Sequence, residues 1–218
     1  MAKFKFHHSY DAFPFDGDLI LNINSKGTKA VWTDDITGAK IITEGHDLKG
    51  GGSDLLSSGK IESVTIIDAE GEKYLSVTGL KANARTVTDI VDSYGAEAGI
   101  LYLARKADRV IGSNEDDFLV GGRHDDVMTG KAGSDYFVFS AEMQNAKSGK
   151  HVEFDTITDF DTTGADRDYL ALPEEFDFRG VHKGEDTLLT FSDGSKLLLE
   201  HVTKAEFQTY LTELASML

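Results

Sequence analysis

Gly112-Ser-Asn-Glu-Asp-Asp-Phe-Leu-Val120, Gly121-Gly-Arg-His-Asp-Asp-Val-Met-Thr129 and Gly130-Lys-Ala-Gly-Ser-Asp-Tyr-Phe-Val138 are consecutive nine-residue segments that share one frame. Position one is Gly112, Gly121 and Gly130; position six is Asp117, Asp126 and Asp135; position eight is apolar, as Leu119, Met128 and Phe137. One frame upstream, over Leu103–Ile111, the glycines are missing, but Asp108 and Val110 still hold positions six and eight. With Gly and Asp each at about one residue in ten and apolar residues at about 40%, three aligned segments arise by chance in roughly one chain in 10⁵ of this length. The period is therefore a structural repeat.

The pattern fits G-G-x-G-x-D-x-U-x, the repeat of calcium-binding parallel β-rolls. Each repeat supplies a tight loop and then a short strand. Glycine lets the loop take positive φ and turn its carbonyls toward a cation. Aspartate supplies a hard anionic oxygen, suited to Ca²⁺ with its six to eight oxygen ligands. The position-eight side chain points inward. Two repeats make one coil, so loops on one side recur every eighteen residues, and an ion between repeats n and n+2 pairs Asp117 with Asp135 and Asp108 with Asp126. Carbonyls of the loop residues Gly112, Asn114, Gly121, Arg123, Gly130 and Gly133 complete the expected shells. Glu115 and His124 stand where position four calls for glycine, and repeat zero has no glycines, so the expectation is one complete site at Asp117/Asp135 and a weaker one at Asp108/Asp126.

Outward from the repeats, short apolar runs alternate with Gly, Asp, Asn and Ser breaks, the rhythm of a mainly β protein. Strands are expected at Leu19–Ile23, Ala30–Trp32, Lys40–Thr43, Ser63–Ile67, Lys73–Val77 and Tyr136–Phe139. Asp68-Ala-Glu-Gly71 and Ser192-Asp-Gly-Ser195 each join two apolar runs as hairpin turns. Leu80 to Tyr94 reads equally as strand or helix, as does Ile100–Arg105. Lys204–Leu218 reads as an amphipathic helix, with a Thr203/Glu206 capping box and Phe207, Leu211, Leu214 and Leu218 on one face. The fold expected is mainly β: a short parallel β-roll flanked by antiparallel segments, with a C-terminal helix. Its divisions fall at 1–104, 105–139 and 140–218.

The chain's 218 residues carry 38 acidic against 22 basic side chains, a net charge of −16. Such a surface repels nucleic acid and anionic lipid and attracts cations. With no cysteine, disulfides, thiolate metal sites and cysteine nucleophiles are excluded. Met1–His8 holds no apolar segment of a Sec signal peptide, and no run approaches a membrane span of about 18 apolar residues. On composition alone the chain reads as cytoplasmic.

Residues 110–139 resemble the RTX, or haemolysin-type, calcium-binding repeat. Tyr136-Phe137-Val138-Phe139 is similar to the segment that closes the last repeat of that family. Phe154–Phe160, Gly164–Arg167 and Tyr169-Leu170 resemble the D-x-I-x-D-F … G-x-D … D-L stretch that follows it. The Leu188–Glu200 hairpin resembles the family's C-terminal part, and Ser58–Leu80 a module that precedes the repeats. The resemblance implies Ca²⁺ as cofactor and export by type I secretion machinery through an uncleaved C-terminal signal. It places the protein outside the cell or at the cell surface, and so accounts for the missing signal peptide.

Two other readings use different residues. Tyr10, Phe13, Phe15 and Trp32 would line a sugar-stacking surface in an adhesin or polysaccharide-binding module, or else belong to the core. A small calcium-dependent enzyme would need a catalytic motif, and neither H-E-x-x-H nor G-x-S-x-G occurs; no enzyme is expected. Asp155, Asp159 and Asp161 read as a capping turn rather than a further calcium site, and the scattered histidines show no zinc spacing.

Overall fold

The computed structural model describes residues 1–6, 14, 18–52, 54–104, 106–139, 153–172 and 178–215. The chain divides into two compact units, Met1–Arg105 and Lys106–Leu218.

In the N-terminal unit six strands, β1 (Lys3–Phe6), β2 (Leu19–Ile23), β3 (Lys29–Asp34), β4 (Lys40–Gly50), β5 (Leu56–Ile67) and β6 (Lys73–Asn83), form an antiparallel sheet. Its order is β2-β3-β4-β5-β6-β1. Along β3 the side chains alternate between half-buried and buried, as one face of a sheet demands. Helix α1 (Ala84–Leu103) contacts β5 and β6. It starts at once after β6 because Asn83 caps it, its Oδ1 accepting the Thr86 N–H at 3.0 Å. Thr86–Val91 and Ile100–Leu103, open between strand and helix in the sequence, both lie in α1. The expected hairpin turn after Ile67 is present, closed by Gly71 at φ 91° and by Glu72 N–H donating to Asp68 Oδ1. Trp32 is buried and donates its Nε1–H to the Asp54 carbonyl at 2.7 Å. Tyr10, Phe13 and Phe15 lie outside the described residues.

In the C-terminal unit the short strands β7 (Arg109–Ile111), β8 (Phe118–Val120), β9 (Val127–Thr129), β10 (Tyr136–Val138), β11 (Phe154–Ile157) and β12 (Tyr169–Ala171) alternate between two parallel sheets. β7, β9 and β11 form one and β8, β10 and β12 the other. This is the expected β-roll, and it runs on past Phe139. Val110, Met128 and Ile157 stack inside from one sheet and Leu119 and Phe137 from the other, all at most 2% exposed. β11 then pairs with β15 (Lys196–Leu199), which continues antiparallel to β14 (Asp186–Phe191) and β13 (Phe178–Lys183). The β14–β15 turn is the expected one, with Gly194 at φ 92°.

Helix α2 (Lys204–Ala215) begins in the capping box read from the sequence: Glu206 Oε2 accepts from Thr203 N–H at 2.8 Å. Its buried face differs from the expected one. Phe207 and Tyr210 are buried, whereas Leu211 is 37% exposed. Tyr210 packs edge-on against Phe160, and its hydroxyl accepts the Leu170 N–H at 3.2 Å. A polar tip that must reach a strand amide turned the helix by one position. Leu218 lies outside the described residues, and among those described no helix is long and apolar enough to cross a membrane.

Thermal or urea unfolding separates the two faces. Tyr210→Ala is expected to cost about 3–5 kcal/mol, as for a buried aromatic, and Leu211→Ala below about 1 kcal/mol. Equal losses would restore the face expected from sequence.

Candidate metal centre

The register of the roll stacks position six on position six. Val110 pairs with Met128 and Leu119 with Phe137, each an eighteen-residue step. Asp108, Asp126 and Asp155 therefore form one column, and Asp117, Asp135 and Asp168 the other. Within each column one hydrogen bond repeats. Asp108 N–H donates to Asp126 Oδ1 at 2.7 Å, Asp117 N–H to Asp135 Oδ1 at 2.9 Å, Asp126 N–H to Asp155 Oδ1 at 2.9 Å and Asp135 N–H to Asp168 Oδ1 at 2.9 Å. All six aspartates are at most 3% exposed.

The position-one glycines answer to this packing and not to positive φ, which none of the three adopts. Each lies against the carboxylate of its own repeat. A Cβ on Gly130 would fall 2.0 Å from Asp135 Oδ2, on Gly112 2.7 Å from Asp117 Oδ2, and on Gly121 3.0 Å from Asp126 Oδ2. Left-handed residues occur one and three positions later: Gly122 at 97° and His124 at 79° in repeat two, Lys131 at 83° and Gly133 at 105° in repeat three. Repeat one, with Ser113 and Glu115 there, has neither; its loop closes through Ser113 N–H on Asp117 Oδ2 at 2.5 Å.

The carboxylates are short of partners. Oδ1 of Asp117 and Oδ2 of Asp126 and Asp135 are buried and accept no hydrogen bond among the described residues. Burial raises the pKa of Asp126 to about 9, with further upward pushes from Asp155, Asp108 and Glu153. Burial likewise raises Asp135, Asp155 and Asp168, each to about 7, and Asp117 upward from the ordinary range. Solvent-starved carboxylates in stacked layers are what a divalent ion between coils would relieve. Among the described residues no three His, Asp or Glu side chains converge as a metal cluster. An oxygen shell for Ca²⁺ therefore has to draw on loop carbonyls as well.

The roll brings Asp117 together with Asp135, and Asp108 with Asp126, while the side chains of Asn114 and Arg123 stay exposed, leaving only their backbone for the loops. Asp159 and Asp161 act as caps: Asp159 accepts the Gly130 and Lys131 N–H groups, and Asp161 that of Thr163. Asp155 leaves that trio for the first column. It and Asp168 are the members that the nine-residue frame misses, because steps of 29 and 33 residues replace eighteen. Their signal survives locally, since Asp155-Thr-Ile157 and Asp168-Tyr-Leu170 repeat the Asp-x-apolar order of positions six to eight.

The two-sided parallel roll sets a buried aspartate before or within each short strand and a glycine at position one of three repeats. Residues 105–137 match the RTX calcium-binding nonapeptide repeat, in four copies. No curated protein matches the chain.

Two measurements follow from the geometry. Gly130→Ala should destabilise the C-terminal unit by more than about 2 kcal/mol, since its Cβ meets a buried carboxylate; a change within about 0.5 kcal/mol would contradict the packing. In metal-depleted buffer, stability should fall as pH rises from about 4 toward 7, and on toward 9 through Asp126. The reason is that the folded carboxyls retain protons that the unfolded chain has released. Melting temperatures that climb over this window would contradict it.

Proposed function

We propose that this protein is a secreted calcium-binding protein whose roll sets when it meets calcium outside the cell. The observation that carries the reading is the pair of buried aspartate columns, in which Oδ2 of Asp126 and of Asp135 accepts no hydrogen bond among the described residues. The matched repeat is of a calcium-binding type. The residues fit a hard cation best on the Asp108–Asp126–Asp155 side, where Glu153 adds a further acidic group. Asp126 with either Asp108 or Asp155, joined by carbonyls of Gly121 and Arg123, would hold the ion. Bound there, Ca²⁺ supplies counter-charge and ties adjacent coils through shared oxygens.

The rest follows from linkage. Like charges stacked in a chain at −16 oppose the compact coil, and its narrow interior buries little apolar surface. Binding stabilises the folded form by RT ln(1 + [L]/Kd), about 2.7 kcal/mol at a hundredfold excess over Kd. In a low-calcium cytosol the roll stays loose enough for type I export with a C-terminal signal, and outside it folds. The role is binding, not catalysis. The polysaccharide-binding alternative loses Trp32, which is buried. The outer rings Phe118, Tyr136 and Tyr169 stack on one another.

Hydrogen exchange is the test. Chelation should raise amide exchange in residues 106–139 well beyond that in 187–200; equal protection with and without chelator would overturn the folding switch. Asp126→Asn should weaken calcium binding at least tenfold, about 1.4 kcal/mol, while leaving the metal-free protein at pH 8 no less stable. Unchanged affinity would remove Asp126 from the shell.

A further inference from the structure

Lys131 occupies position two of repeat three with φ of 83°, a conformation that glycine takes without strain. Its own N–H is fixed on Asp159 Oδ2 at 2.8 Å. Its side chain crosses to the preceding coil on that side, where the ammonium donates to the carbonyl of Gly112, position one of repeat one. That carbonyl belongs to the layer defined by Asp117 and Asp135, whose Oδ1 and Oδ2 atoms respectively lie buried without a hydrogen-bond partner. The lysine charge is felt there, since it pulls the Asp117 pKa down against the effect of burial. Among the described residues, the main influences on Asp126, Asp135, Asp155 and Asp168 are burial, neighbouring carboxylates and backbone N–H donors, with no basic group among them.

We propose that the Lys131 ammonium is a built-in counter-ion that takes the place of calcium in the layer between Asp117 and Asp135. The two columns then differ in kind. One side of the roll carries a counter-charge of its own at Asp117, a single compact ammonium with three donors. The other, around Asp126, shows no such group among the described residues and depends on an ion from solution. A divalent ion seeking the Gly112 carbonyl would have to share it with an ammonium, and like charges at that separation repel strongly. The nine-residue frame names this layer as the better calcium site because it scores aspartates and glycines; the lysine side chain, arriving from a loop eighteen residues on, is what closes it. The second half of the inference, that calcium goes to the other column, rests on the function proposed above.

Calcium stoichiometry of the full chain by equilibrium dialysis tests it. Lys131→Gly removes the ammonium and suits the left-handed backbone; Lys131→Gln keeps the chain length and loses the charge. Each is expected to bind one more Ca²⁺ per chain than the unsubstituted protein, and the gain should vanish in Lys131→Gly/Asp135→Asn. Without calcium, Lys131→Gly should melt at lower temperature than the parent despite its relaxed backbone. Equal stoichiometry in the parent and both variants would overturn the inference while leaving a calcium-binding parent intact. A parent that binds none beside variants that bind one would instead sustain the lysine's role and remove calcium from the native function.

Discussion

The N–H of each position-six aspartate donates to the carboxylate of the aspartate one coil later, and this bond repeats twice up each side of the roll. It forces carboxylates into the interior at the spacing of adjacent strands. A paired strand spacing of about 4.8 Å brings like charges far closer than the Debye length of about 8 Å, and burial removes the water that would screen them. Every other feature of the C-terminal unit accommodates that arrangement. Glycine stands at position one because a Cβ there would strike the carboxylate. The strands are only three residues long in each repeat because the loops must return the next aspartate to the column.

The interior offers limited compensation. One apolar side chain per repeat, Val110, Leu119, Met128 or Phe137, fills the space between the sheets. The C-terminal end is better provided: Phe137 meets Phe160, Phe160 meets Tyr210, and Phe139 stacks on Phe191 at 4.6 Å. Hydrophobic packing thus holds the hairpin and α2 to the last coil, while the aspartate columns need charge neutralisation. Among the described residues the N-terminal unit has no such columns; its six-stranded antiparallel sheet and helix bury Leu75, Val77, Ile61 and Ile66 in the ordinary way.

Much of this was legible in the residues. The nine-residue frame located the roll, the inward position-eight side chains and the pairing of Asp117 with Asp135, because a strict period leaves few geometries. The Asp-Gly turn at Asp193-Gly194 and the Thr203/Glu206 box carried their own local chemistry. What escaped the reading depends on tertiary contact. Asp155 and Asp168 join the columns only after insertions that break the period. The position-one glycines looked like turn formers, yet they answer to a carboxylate approaching from within the repeat. Residues after Asn83 balanced strand against helix, and Tyr210 displaced Leu211 from the core by finding the Leu170 amide. Lys131 looked like a lost glycine; its role shows only when the coil beside it is present.

Anomalous diffraction from crystals grown with calcium tests the central claim most directly. The account predicts a calcium peak beside Asp126, with carboxylate and carbonyl oxygens roughly 2.3–2.6 Å from the ion, in the layers shared with Asp108 or Asp155. A map with no peak on the Asp126 column, its carboxylates still buried and stacked as here, would contradict it.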